Sequence, residues 1–195
     1  NRCRRQRQMC IRDRYNPYPK ENEINHAETH IKNIVSNFLP SVLNYLNVNF
    51  ENTNQIVAGA SMGGLMSIKT SILFPQFRNI ISLSPAFWFG YPRVLYDVKN
   101  LSNESSTYLY TGKKEGHIFG DHVKNIFSND WDLDFSNNDD FYYSGVKKIE
   151  DSLKSNNKTV IFSFQENGHH NETSWATAIL AVSYTHLTLP TTPVV

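Results

Sequence analysis

The hexapeptide Gly59-Ala60-Ser61-Met62-Gly63-Gly64 constrains this chain more than any other stretch. An apolar run, Gln55-Ile56-Val57-Ala58, leads into it, and an apolar, helix-like segment from Leu65 to Leu73 leads out. Strand, Gly-x-Ser-x-Gly, helix is the context of a nucleophile elbow. In so tight a turn, side chains two residues before and two after the serine are expected to collide with the neighbouring strand and helix. Glycine at 59 and 63 removes the collision and tolerates the strained backbone. Ser61 is thereby held at the tip of the turn with its hydroxyl free. A helix starting there aims its N-terminal N–H groups at any anion that forms beside the serine.

The two ends of the chain are related to each other through DNA. One permitted coding of the tail from Val182 is GTCTCTTATACACATCTGACGCTGCCGACGA. The second frame of its reverse complement encodes Arg-Arg-Gln-Arg-Gln-Met-Cys-Ile-Arg-Asp, which is the head from Arg4 to Asp13 without a mismatch. Inverted identical DNA at both ends resembles a sequencing adapter read through as gene. Residues 1–14 and 182–195 are therefore expected to be non-native and are set aside from fold reasoning. The remainder, 15–181, has the length of one domain and can bury a real core.

Composition changes meaning once the ends are removed. The whole chain carries nineteen basic and eighteen acidic residues, a net +1. The head alone contributes six arginines and one aspartate, so the insert holds thirteen basic and seventeen acidic residues, a net −4. The basic head is thus no nucleic-acid arm, and no nucleic-acid partner is expected. Both cysteines, Cys3 and Cys10, also lie in the head. The insert then offers no disulfide, no thiolate chemistry and no cysteine-ligated metal, and it fits a reducing, cytoplasmic compartment. No apolar run approaches the length of a membrane span.

Strand-like and helix-like segments alternate along the insert. A helical pattern runs from Ile24 to Leu46, with Pro40 expected to kink or divide it. Strands are expected at 55–60, 79–84, 107–111 and 159–164, and helices at 63–73, 122–127, 143–154 and 173–181. The Asn-rich patches Ser136–Asp140 and Ser155–Asn157 read as turns. Short apolar strands alternating with helices argue an α/β fold whose mostly parallel sheet is flanked by helices. In such sheets functional groups collect at the carboxyl ends of the strands.

Ser61 follows the first expected strand, Gly112-Lys113-Lys114-Glu115 the third, and Gly168-His169-His170-Asn171-Glu172 the fourth. Serine, acid, histidine is the chain order of an α/β-hydrolase triad. The chemistry needs all three, because a serine hydroxyl attacks poorly until an imidazole takes its proton and a carboxylate steadies the imidazolium. Asp121 and Asp132 are alternative acids. The blocks Gly59–Gly64, Ser82-Leu83-Ser84-Pro85-Ala86-Phe87-Trp88 and Gly168-His169-His170-Asn171-Glu172-Thr173-Ser174-Trp175 resemble the signatures of the α/β-hydrolase esterases that include enterochelin-type and feruloyl esterase domains. The resemblance covers essentially the whole insert. It implies Ser61 as nucleophile, His170 rather than His169 as base, Glu115 as acid, and the backbone N–H of Met62 as an oxyanion donor. Trp88 and His169 are candidate substrate contacts. Phe87, Phe89, Tyr91 and Trp175 are weighed as an aromatic wall or as core, and His117 as a pocket or surface residue.

The resemblance fails at the front. Strands that such a fold carries upstream of the elbow, and the loop that supplies a second oxyanion donor, are expected to be missing, making this a partial α/β-hydrolase with impaired activity. The expected reaction is cleavage of a small-molecule carboxylic ester through an acyl-enzyme, with no cofactor and no metal. The alternatives are an acyltransferase and a non-catalytic binding domain on the same fold.

Overall fold

A computed structural model describes residues 14–19, 24–49, 55–128 and 130–185. Residues 1–13 and 186–195, most of the two ends expected to be non-native, lie outside the described residues. The chain order is α1 (His26–Asn33), a π-helical turn (Ile34–Phe38), α2 (Leu39–Tyr45), β1 (Ile56–Ala60), α3 (Met62–Leu73), β2 (Asn79–Leu83), α4 (Arg93–Asp97), β3 (Ser106–Gly112), α5 (Val123–Ile126), α6 (Asn138–Ser155), β4 (Thr159–Gln165) and α7 (Glu172–Thr185). Single 3₁₀ turns at Phe87–Phe89, Val98–Asn100 and Gly116–Phe119 fill the connections.

The four strands form one sheet in the order β1-β2-β3-β4, and every pair is parallel. This is the α/β architecture that the alternation predicts. Side chains of a strand alternate between faces, so each strand feeds two cores. Ile80 and Leu109 meet Leu65 and Ile68 of α3 and Phe141, Val146, Ile149 and Leu153 of α6 on one face. Ile81, Leu83, Tyr108 and Tyr110 meet Ala178 and Val182 of α7 on the other. A third cluster packs Ala27, Ile31 and Val35 against Met66 and Phe77.

The expected break at Pro40 takes a particular form, and two helix boundaries move. Pro40 does divide the first helix, by a π turn: the N–H of Leu39 reaches back to the carbonyl of Ile34, one residue further than in an α-helix. An extra residue in the turn is one way a helix accommodates a proline that cannot donate and whose ring crowds the preceding turn. The helix expected at 143–154 begins at Asn138, inside the patch read as a turn. Asn137 is its N-cap, and the Asn137 side chain accepts the N–H of Asp140 at 2.9 Å. At the other tail, α7 runs on to Thr185, and Val182 is buried with the β2 and β3 side chains.

Candidate active site

The turn between β1 and α3 holds Ser61 in a strained conformation. Ser61 has φ 57° and ψ −121°, a strained backbone for any residue with a Cβ. It is held there from both sides: its N–H donates to Leu83 at 2.9 Å, and its carbonyl accepts from Gly64 and Ala86 at 3.0 Å. A Cβ on Gly59 would lie 2.1 Å from the carbonyl oxygen of Gly63, so residue 59 must be glycine. The symmetric expectation for Gly63 is corrected, because a Cβ there meets nothing within 4 Å. The collision lies between position 59 and the main chain of 63, not between position 63 and a neighbour. Met62 opens α3, which places its N–H at the positive end of the helix beside Ser61.

Glu115 and His170 come from different strand ends, and two glycines bring those ends together. A Cβ on Gly112 would sit 2.2 Å from the carbonyl oxygen of Gly168, and one on Gly168 would sit 2.7 Å from the Tyr110 hydroxyl. With both positions bare, the loops after β3 and β4 close on each other. The N–H of Lys113 donates to Gln165 and that of Lys114 to Gly168, each at 2.9 Å.

The three side chains singled out in the sequence meet. His170 Nε2 lies 2.9 Å from Ser61 Oγ, and His170 Nδ1 lies 2.9 Å from Glu115 Oε2. Glu115 is fully buried, while the His170 side chain keeps 11% of its surface. The other carboxylate oxygen of Glu115 accepts from Ser84 Oγ at 2.6 Å and from the N–H of Gly112 at 2.5 Å. A carboxylate that accepts at both oxygens leaves Nδ1 of His170 as the proton carrier, so Nε2 is an acceptor and the Ser61 hydroxyl donates to it. A hydroxyl so placed can pass its proton to the imidazole as its oxygen attacks an electrophile.

Asp121 and Asp132, the alternative acids, lie elsewhere. Asp121 accepts from His122 and Asn125 on an exposed turn, and Asp132 pairs with Lys148 at the surface. His169 is exposed, with its ring 5.7 Å from that of His117. Both line a recess of about 390 Å³ together with Lys114, Asn137, Asn138 and Asp139. Trp88 is half-buried against the rings of Phe87, Phe89, Phe119 and Tyr142, and Phe87 is wholly buried, so these aromatics belong to the core cluster.

Sequence reasoning misses two groups around Glu115. Ser84 follows β2 at φ 43°, its N–H bound to Tyr110 at 2.7 Å and its carbonyl accepting from the Tyr142 hydroxyl at 2.6 Å. Burial first, and then the charge of Glu115, push the Tyr142 hydroxyl well above its usual range, so it stays a donor. The only local signal is the position of Ser84 at the end of a strand. Nothing in the sequence links Tyr142, on α6, to that turn.

No family model matches the sequence, and no curated protein matches it. Among solved structures, the siderophore hydrolase EstA from Aspergillus nidulans superimposes with a TM-score of 0.62 at 15% identity, over 88% of this chain and 61% of that one. The siderophore hydrolase EstB from the same organism gives 0.60 at 17%, over 89% and 65%. The enterobactin esterase FES from Shigella flexneri, solved in the presence of enterobactin, gives 0.57 at 16%, over 82% and 39%. The chain shares the fold of α/β-hydrolase esterases. It spans less than two thirds of the length of each of these structures. Among the described residues, no helix is long and apolar enough to cross a membrane.

Proposed function

We propose that this chain carries the catalytic centre of a serine esterase acting on small-molecule carboxylic esters. The observation that carries the reading is the unbroken series Ser61 Oγ, His170 Nε2, His170 Nδ1 and Glu115 Oε2, with 2.9 Å at each hydrogen bond and the carboxylate sealed from water. Proteins of similar fold are named siderophore hydrolase, enterobactin esterase and ferulic acid esterase, which agrees with ester chemistry on this scaffold.

In this mechanism Ser61 attacks the ester carbonyl and its proton passes to His170 Nε2. Glu115 holds the ring in the required tautomer and stabilises the imidazolium. The tetrahedral oxyanion lies against the Met62 N–H at the start of α3, where the helix end favours negative charge. Collapse breaks the bond to the alcohol, which leaves with the proton from His170. Water, deprotonated by the same nitrogen, then releases the acid and restores Ser61.

A fluorophosphonate probe tests the reading directly. The chain is expected to be labelled on Ser61, with labelling absent in Ser61→Ala and lowered at least a hundredfold, on the order of what a lost general base costs, in His170→Ala. Labelling that survives Ser61→Ala overturns the assignment.

A further inference from the structure

We propose that Trp175 and Ser84 act as positioning residues: the indole fixes the direction of the Ser84 hydroxyl, and that hydroxyl aims Glu115 at His170. The inference rests on the esterase reading of Ser61, His170 and Glu115 and adds a fourth and fifth residue to it.

The argument begins with the hydrogen-bond inventory of a serine. Its hydroxyl has one proton to give and two lone pairs to offer, and it rotates freely unless its partners forbid it. Ser84 Oγ has two partners, Glu115 Oε1 at 2.6 Å and Trp175 Nε1 at 2.9 Å. An indole N–H only donates. Ser84 must therefore accept from Trp175, and its single proton is committed to Glu115. The indole N–H occupies one lone pair of that hydroxyl and so bars its proton from the Trp175 side.

The remaining freedom is already removed. The main chain of Ser84 is pinned by Tyr110 on one side and Tyr142 on the other. Ser84 and Glu115 are both fully buried, so no solvent stands ready to replace a lost partner. With Ser84 and Gly112 both donating to Oε1, the carboxyl group cannot spin about its terminal bond, and Oε2 stays opposite His170 Nδ1.

Trp175 also touches the base itself. Its ring lies 5.0 Å from that of His170, edge to face at 86°. Its place is set by the start of α7, where the carbonyl of Asn171 accepts the Trp175 N–H and the Asn171 side chain accepts that of Ser174. To the aromatic-wall and core readings weighed for Trp175 in the sequence, the indole N–H adds a directed polar contact.

The test uses the full chain and a fluorophosphonate probe at several concentrations, so that the maximal labelling rate is separated from probe affinity. Trp175→Phe keeps an aromatic ring and loses the indole N–H. It is expected to lower the maximal rate about tenfold, the upper end for one neutral hydrogen bond, with probe affinity near that of the parent. Ser84→Ala is expected to lower the rate about tenfold or more, and Trp175→Phe is expected to cost nothing further in that background. The far-downfield proton resonance of His170 Nδ1–H, seen with labelled histidine, is expected to weaken in Trp175→Phe. A Trp175→Phe variant with parental rate and resonance overturns the proposal. So does an equal tenfold loss in the presence and absence of the Ser84 hydroxyl. If Ser84→Ala does not fold, Trp175→Phe decides by rate and resonance. If the parent is not labelled at Ser61, the esterase reading fails, and the resonance alone decides the clamp.

Discussion

At the scale of single residues, the site is governed by where a Cβ can and cannot exist. Gly59 and Gly63 look equivalent in the motif, two positions to either side of Ser61, and the sequence offers no reason to separate them. The backbone separates them completely: a Cβ on Gly59 meets the Gly63 carbonyl at 2.1 Å, whereas one on Gly63 has no neighbour within 4 Å. Gly59→Ala is therefore expected to cost about 3 kcal/mol, the upper range for overpacking against atoms that cannot rotate away. Gly63→Ala, on the first turn of α3, is expected to stabilise by about 0.5 kcal/mol through helix propensity. Urea unfolding midpoints of the two variants measure both. Equal losses would mean that the elbow does not have this geometry.

At the scale of elements, what was legible depended on whether the signal was local. The four strands and the helix after the elbow show as apolar runs and periodicity, and their positions hold within a few residues. The π turn before Pro40 and the early start of α6 were not legible, because each depends on which carbonyl or side chain a given N–H finds, not on hydrophobic pattern. The strand ends pointed to the segments that hold Ser61, Glu115 and His170, and the resemblance to the esterases chose Glu115 and His170 within them. Ser84 and Trp175 could not be paired, since they are far apart in the chain and joined only by an indole N–H. The start of α7 shows how such an element serves the site. Asn171 caps it, accepting the N–H of Ser174 at 3.0 Å, and so sets His170 on one side of the cap and Trp175 on the other. Asn171→Ala is expected to cost about 1 kcal/mol, a fall of about 2–4 °C in the melting midpoint for a chain of this size. Asn171→Asp keeps an accepting oxygen and is expected to retain the midpoint. Equal losses in both variants, read by differential scanning fluorimetry, would count against the cap.

At the scale of the whole molecule, four parallel strands deliver four side chains to one rim: Ser61 after β1, Ser84 after β2, Glu115 after β3 and His170 after β4. The same sheet order makes β1 an edge among the described residues, although Ser61 directly follows it. Its outer positions are apolar and open: Ile56 is 38% exposed and Ala58 is exposed. An apolar recess of about 280 Å³ lies alongside, lined by Val57, Ala58, Ile34, Leu39 and Met66. Natural edge strands usually carry charge, a bulge or a cover that blocks pairing with a second chain, and β1 shows neither lysine nor proline over Ile56–Ala60. The chain is therefore expected to self-associate through β1, giving species larger than 22.5 kDa by size exclusion with light scattering. A lysine on that edge places charge where a second strand would dock. Ala58→Lys is expected to shift the distribution toward monomer. A lysine on the surface of α6, far from β1, at Asp151→Lys, is expected to leave it unchanged. If both substitutions dissolve the larger species equally, net charge rather than the open edge holds them together. If neither does, the association runs through another surface.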